Sequence, residues 1–148
     1  MKRRVVRAAV LAAAGLWLLS AETSRSSMDG VYSEAQAKRG RELYADQCIE
    51  CHGHDLEGKY ESAPLAGDEF RNHWEGLDLD KLFERIHTTM TGDAAGMIST
   101  GPPKPLTRGQ TADLVAFLLY FNGMPAGKTD LGTKAEVLET IRFESPKP

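Results

Sequence analysis

Residues 48–52 read Cys48-Ile49-Glu50-Cys51-His52, a C-x-x-C-H pattern. Because residues three apart lie on one face of a helical turn, the two thiols can form thioethers with the two vinyl groups of one porphyrin. His52, which follows directly, is then placed to bind the iron as its proximal ligand. The pattern therefore predicts one covalently attached haem c on Cys48 and Cys51, with His52 as an iron ligand.

Two other interpretations of the same cysteine pair stay open. Cys48, Cys51, His52 and His54 could together bind zinc, although structural zinc sites have a second ligand pair well separated in sequence. The pair could also be a thiol redox motif, which is usually preceded by a strand. The residues before Cys48 have a helical pattern, and no further cysteine is present. Haem attachment is the interpretation that both facts favour.

The N-terminus has the pattern of an export signal. Residues 1–7 contain four basic side chains, residues 8–19 are apolar, and Ser20-Ala21 ends in a small residue suited to cleavage. This order is typical of secretory signals, and the apolar run is shorter than the roughly 20 residues of a membrane-spanning helix. We expect residues 1–21 to be a signal peptide or, alternatively, an N-terminal anchor. Both place the domain outside the cytoplasm, in the periplasm, with membrane contact only if the segment is retained.

Composition limits the possible partners. The chain of 148 residues has room for one domain and a tail. Its net charge is -3, and without the four bases of residues 1–21 it has 14 bases against 21 acids, a net charge of -7. Nucleic-acid binding calls for a basic face, so we expect none. An acidic electron carrier would instead be attracted to a basic surface on a redox protein.

Capping and periodicity predict three main helices. Ser33 with Gln36, and Thr107 with Gln110, form capping-box patterns, and Asp78 is a suitable N-cap residue. Apolar side chains then recur at helical spacing. They are Ala37, Gly40 and Tyr44 in the first helix, Leu79, Leu82, Phe83 and Ile86 in the second, and Leu114, Phe117, Leu118 and Phe121 in the third.

The other segments have fewer periodic signals. We expect a linker over residues 22–30, the main domain over 31–127, and a C-terminal tail with a short helix over 128–148. Residues 54–76 are expected to form a loop around the haem. In that loop Pro64 is a candidate source of the carbonyl that accepts a hydrogen bond from Nδ1 of His52, although a lone proline is more often only a turn residue.

Several stretches between Tyr32 and Gly127 resemble the single-haem class I cytochromes c. The likeness is nearest to the cytochrome domains and small cytochromes that accompany pyrroloquinoline-quinone-dependent alcohol dehydrogenases. The stretches that carry it are residues 36–40 with Tyr44, 48–53, 56–58, 64–67, 82–83 with 88–90, and 113–118, together with the Asn122-Gly123-Met124-Pro125-Ala126-Gly127 run.

The resemblance implies an all-α fold with three helices around one haem, in which Gly40 and Tyr44 cross the last helix near Phe117 and Leu118. It also implies a methionine as the second axial ligand. Met90 matches the family position, but Thr91 stands where the family usually has proline. Met97 is therefore a rival, and an iron without a methionine ligand is a third possibility. The structural alternative for Met90 is core packing at a helix end.

With histidine and methionine on the iron there is no open position for a substrate. The expected function is one-electron transfer without catalysis, from a donor such as a quinoprotein dehydrogenase to an oxidase or another cytochrome. The alternative is a haem enzyme or gas sensor with an open sixth position, and a structural zinc module is a third class.

Overall fold

The computed structural model describes residues 24–90 and 105–147. Within these two ranges the chain forms six helices and one short two-stranded parallel pairing. In chain order the elements are β1 (Arg25–Ser26), a 3-10 turn (Ser27–Asp29), α1 (Glu34–Gln47), α2 (Ile49–His52), α3 (Gly67–Trp74), α4 (Leu79–Thr89), α5 (Arg108–Phe121), α6 (Ala135–Leu138) and β2 (Ile141–Arg142). None of the described helices is long and apolar enough to span a bilayer.

The crossing of α1 and α5 is the centre of the core. A Cβ atom on Gly40 would overlap the carbonyl oxygen of Asp113 and lie 2.9 Å from Cβ of Phe117. Only glycine permits this close approach of the two helices. One turn further along α1, the rings of Tyr44 and Phe117 lie 5.3 Å apart, centroid to centroid. The predicted crossing of the first and last helices is therefore confirmed.

The structure confirms the predicted N-caps of α1 and α5, at Ser33 and Thr107. The Thr107 and Gln110 side chains form a complete capping box. Ser33 Oγ accepts a hydrogen bond from the Gln36 backbone N–H, but the Gln36 side chain bonds instead to both backbone groups of Leu131. The first cap therefore also attaches the C-terminal tail to the start of α1.

Helix α3 was not expected, because residues 54–76 were predicted as loop. It begins after Ala66, which makes no side-chain cap, and Phe70 is its one buried residue. A single apolar anchor produces no helical stripe, so periodicity could not reveal it. Acidic residues Asp68 and Glu69 in its first turn and Arg71 in its last turn complement the helix dipole.

Residues 24–30, predicted as part of a linker over 22–30, form hydrogen bonds with the C-terminal tail. Arg25–Ser26 pairs in parallel with Ile141–Arg142. The buried Ser27 hydroxyl donates to the carbonyl oxygen of Glu144 at 2.9 Å and accepts from the Glu144 N–H at the same distance. The entry segment, residues 24–30, and the tail are thus bonded to each other. The tail also contains the predicted short helix, α6.

The tail in turn closes on the connection between α3 and α4. The Phe143 N–H donates to Leu77 O, and the Gly76 N–H donates to Phe143 O, both at 2.8 Å. Arg142 forms an ion pair with Asp78 at 3.1 Å. The tail, which is itself bonded to residues 25–27, therefore contacts the residues just before α4.

Candidate functional site

The two cysteines and the histidine lie on one helical turn. Helix α1 ends at Gln47, and Cys48 is the N-cap residue of the short helix α2. The N–H groups of Cys51 and His52 both donate to the Cys48 carbonyl, at 3.2 and 3.0 Å. Both thiols are free of any disulfide and are partly exposed. The turn therefore presents two thiols and an imidazole side by side, as attachment of one porphyrin requires.

The imidazole of His52 is oriented by a backbone carbonyl. Its Nδ1 atom lies 3.1 Å from the carbonyl oxygen of Ala63. The predicted partner, Pro64, is the next residue, so the prediction was displaced by one position. Since a carbonyl can only accept, Nδ1 carries the proton and Nε2 keeps its lone pair. Burial lowers the pKa of His52, against the opposite effect of the Ala63 bond, and the neutral imidazole is the form that binds iron.

The loop that follows His52 folds back onto the motif. The Gly58 N–H donates to the His52 carbonyl at 2.9 Å, and the Lys59 N–H donates to the Cys51 carbonyl at 2.8 Å. The Tyr44 hydroxyl donates to the Gly53 carbonyl at 2.7 Å. The motif is therefore bonded both to the loop and, through Tyr44, to α1.

Apolar side chains beside the motif fit a flat hydrophobic group. Ile49 in the motif, and Leu65 and Ala66 just after the Ala63 carbonyl, are only partly buried although they pack against the core. A haem held by Cys48, Cys51 and His52 would find these apolar side chains close by in the sequence. The donor set and its apolar surroundings therefore suit haem c.

The thiol redox interpretation is not favoured by the surroundings of Cys48. Burial, and then the neighbouring Cys51, raise the pKa of the Cys48 thiol to about 11. Reactive redox cysteines have a lowered pKa because the thiolate is the attacking species. The motif also follows a helix rather than a strand.

The zinc interpretation has no support in the described ranges either. Across residues 24–90 and 105–147, no three His, Cys, Asp or Glu side chains are grouped closely enough to hold a metal ion. His54, the proposed fourth zinc ligand, is exposed.

Of the two candidate methionine ligands, Met90 is the C-cap residue that follows α4. Its N–H donates to the Ile86 carbonyl at 3.2 Å, and the residue is 43% exposed. Core packing therefore does not account for Met90. Met97 lies outside the described residues, so the choice between the two stays a prediction.

Two residues that bond to His52 or to the loop after it were not identified from the sequence. Ala63 acts through its backbone carbonyl, which no side-chain pattern can reveal. Asn122 was named only as part of the run over residues 122–127 that carries the resemblance, yet its side-chain amide donates to the Leu65 carbonyl at 3.0 Å. The sign available in the sequence was a polar residue directly after the apolar end of the helix.

Comparison with protein families gives a match to the model described as Cytochrome c, over residues 37–122. Comparison with curated proteins and with solved structures gives no match. The family match confirms the all-α fold class predicted from the resemblance. A cytochrome c domain holds a covalently bound haem c and acts as a haem-based electron carrier. Because the match covers more than half of the sequence and includes the C-x-x-C-H turn, this chain belongs to the cytochrome c family.

Proposed function

We propose that the protein is an exported cytochrome c in which Cys48 and Cys51 attach the haem and His52 binds its iron. The observation that carries the assignment is the orientation of His52. The Ala63 carbonyl binds Nδ1 at 3.1 Å, which leaves Nε2 available on the turn that also carries both thiols. The haem supplies the one-electron couple. The chain attaches it, orients the imidazole and excludes water from one face.

Met90 is the sixth ligand in this proposal. Its position at the end of α4 and its 43% exposure support the assignment, because its side chain is not committed to the core. A methionine ligand raises the haem potential and closes the iron to substrates. Met90→Ala should therefore abolish the red-edge absorption band that reports sulfur bound to iron and should lower the potential. Met97→Ala is the matched control and should do neither; the reverse result would give the role to Met97.

Export is supported by the basic and apolar pattern of residues 1–21. A fusion of residues 1–30 to a reporter that is active only outside the cytoplasm should be active. The same fusion with Lys2, Arg3, Arg4 and Arg7 changed to glutamate is the control and should lose activity. The intact mass of the purified protein then distinguishes cleavage after Ala21 from retention as an anchor.

The proposed donor is a redox protein with a basic docking surface, such as a quinoprotein dehydrogenase, and the acceptor is an oxidase or another cytochrome. The acidic charge of the chain supports the electrostatic part, and the resemblance to cytochromes of quinoprotein systems supports the donor class. Since exposed charges are screened beyond about 10 Å at 0.1 M salt, the rate of reduction by the donor should fall as salt is raised. A rate independent of salt would contradict the charge argument.

A single binding experiment separates this carrier from a haem enzyme or gas sensor. The reduced protein should not bind carbon monoxide at neutral pH, because both axial positions are occupied, and the protein alone should not turn over peroxide. Rapid carbon monoxide binding would contradict the proposed six-coordinate iron.

A further inference from the structure

Asn122 is a buried amide at the end of the central helix. It is the residue after α5 and is 3% exposed. Its Nδ2 atom donates two hydrogen bonds, one to the Leu118 carbonyl at 2.9 Å and one to the Leu65 carbonyl at 3.0 Å. Both partners are carbonyl oxygens, which only accept, so the atom between them is the amide nitrogen.

Only one of these two bonds belongs to the end of the helix. The Leu118 carbonyl already accepts the backbone N–H of Asn122 at 3.1 Å. The Leu118 carbonyl therefore has a main-chain partner without the Asn122 side chain. The bond to Leu65 joins positions 57 residues apart, and helix capping gives no account of it.

Stability alone does not explain an amide side chain at position 122. Its Oδ1 atom is buried and has no hydrogen-bond partner in the described part of the chain. A buried acceptor without a partner destabilises the fold, which offsets much of what the two donated bonds contribute. What the side chain does that an apolar residue of similar size could not do is hold the Leu65 carbonyl.

Both backbone polar groups of Leu65 are hydrogen-bonded. Its N–H donates to the Leu56 carbonyl at 2.8 Å, and its carbonyl is held by Asn122. Leu65 follows Ala63 by two residues, and the Ala63 carbonyl contacts His52. A shift of Leu65 would therefore move the carbonyl that orients the imidazole.

We propose that Asn122 is a positioning residue for His52. By tying the end of α5 to the Leu65 carbonyl, it keeps the Ala63 carbonyl in hydrogen-bond contact with Nδ1–H. This inference rests on the proposed function, in which His52 binds the haem iron. A hydrogen bond from Nδ1–H makes a ligand histidine more basic, so the tether favours the oxidised iron and lowers the potential.

The test uses the haem-loaded protein with two substitutions at this position. Asn122→Leu keeps similar bulk without donors. Asn122→Ser retains a donor that can return to Leu118 but is too short to hold Leu65. Tyr32→Phe is the matched control, because it also removes one buried bond, from the Tyr32 hydroxyl to the Met124 carbonyl at 2.6 Å, without touching the loop after His52.

Both Asn122 variants should speed solvent exchange of the His52 Nδ1–H, followed by NMR in the reduced protein. Loss of a hydrogen bond that contributes about 1 kcal/mol corresponds to an exchange rate about fivefold higher. Both should raise the reduction potential. Tyr32→Phe should lower the melting temperature and leave exchange and potential unchanged.

Two results would overturn the inference in distinguishable ways. If the Asn122 variants lose thermal stability as Tyr32→Phe does, while exchange and potential stay at wild-type values, Asn122 is only a structural residue and the proposed function stands. If the wild-type protein carries no covalent haem, or His52 is not an iron ligand, the proposed function itself fails and the inference fails with it.

Discussion

Nδ1 of His52 lies 3.1 Å from the carbonyl oxygen of Ala63, eleven residues further along the chain. This contact joins the motif to the far end of the loop that follows it. Gly58 lies between them, with a backbone φ of +75°. The turn at that glycine is one of those by which the loop returns to His52.

Gly58→Ala should therefore lower the free energy of unfolding by about 2–4 kcal/mol. A Cβ atom there would overlap the Ser62 carbonyl oxygen and lie 2.9 Å from N of Pro64. Urea denaturation measures the loss. Gly76→Ala is the control, since its φ is +76° but nothing lies within 4 Å of the added Cβ, and it should cost only about 1–2 kcal/mol. Equal losses would contradict the clash.

Gly40→Ala should destabilise the protein by at least about 2 kcal/mol. The added methyl group would overlap the Asp113 carbonyl and force α1 away from α5. This outweighs the gain of about 1 kcal/mol that alanine normally brings to a helix. Gly109→Ala, which meets nothing closer than Thr107 Oγ1 at 3.9 Å, should instead be neutral or stabilising. A stabilising Gly40→Ala would show that the helices do not approach as described.

Ser27→Ala tests whether the entry segment is part of the fold. It removes the donor and the acceptor that bind the backbone of Glu144. Thermal unfolding should show a loss of about 1–3 kcal/mol. Ser24→Ala, at an exposed neighbouring position, should stay within about 0.5 kcal/mol of wild type. Matching results for the two variants would return residues 24–30 to the role of a linker.

Asp130 should contribute stability that is lost in acid. Hydrogen bonds from Ser33 and then Arg39 lower the pKa of its carboxyl group. The folded state thus binds its proton at lower pH than the unfolded chain, so the contribution is complete above about pH 4 and fades as pH falls through the lowered pKa. The group is exposed, so the effect should be at most about 1 kcal/mol.

Unfolding of Asp130→Asn, followed from pH 6 to pH 2, measures this contribution. The difference from wild type should shrink as the solution becomes acidic. A difference that grows with acidity would reverse the assigned direction of the pKa shift. Asp46→Asn, at an exposed position on α1, controls for loss of one surface charge.

Elements with strong local signals could be predicted from the sequence. Helices α4 and α5 have apolar stripes, and Thr107 and Ser33 have side chains that cap the first turn. The C-x-x-C-H spacing located the site for a similar reason, because its geometry is contained in one helical turn. In each case the deciding interactions join residues three or four positions apart.

The features that sequence analysis missed depend on distant or backbone partners. Helix α3 has only Phe70 buried, and β1 exists because Arg25 and Ser26 meet a strand more than a hundred residues away. The acceptor for His52 is a main-chain carbonyl, so identifying Ala63 rather than the neighbouring Pro64 required the exact path of the loop.

The most direct test of the central claim is acid-acetone extraction of the purified protein. If Cys48 and Cys51 attach the haem, its colour should remain with the precipitated polypeptide. The Cys48→Ser, Cys51→Ser double variant is the control, in which any bound haem should pass into the solvent. Wild-type protein whose haem leaves with the solvent, or which contains zinc instead of haem, would contradict the account.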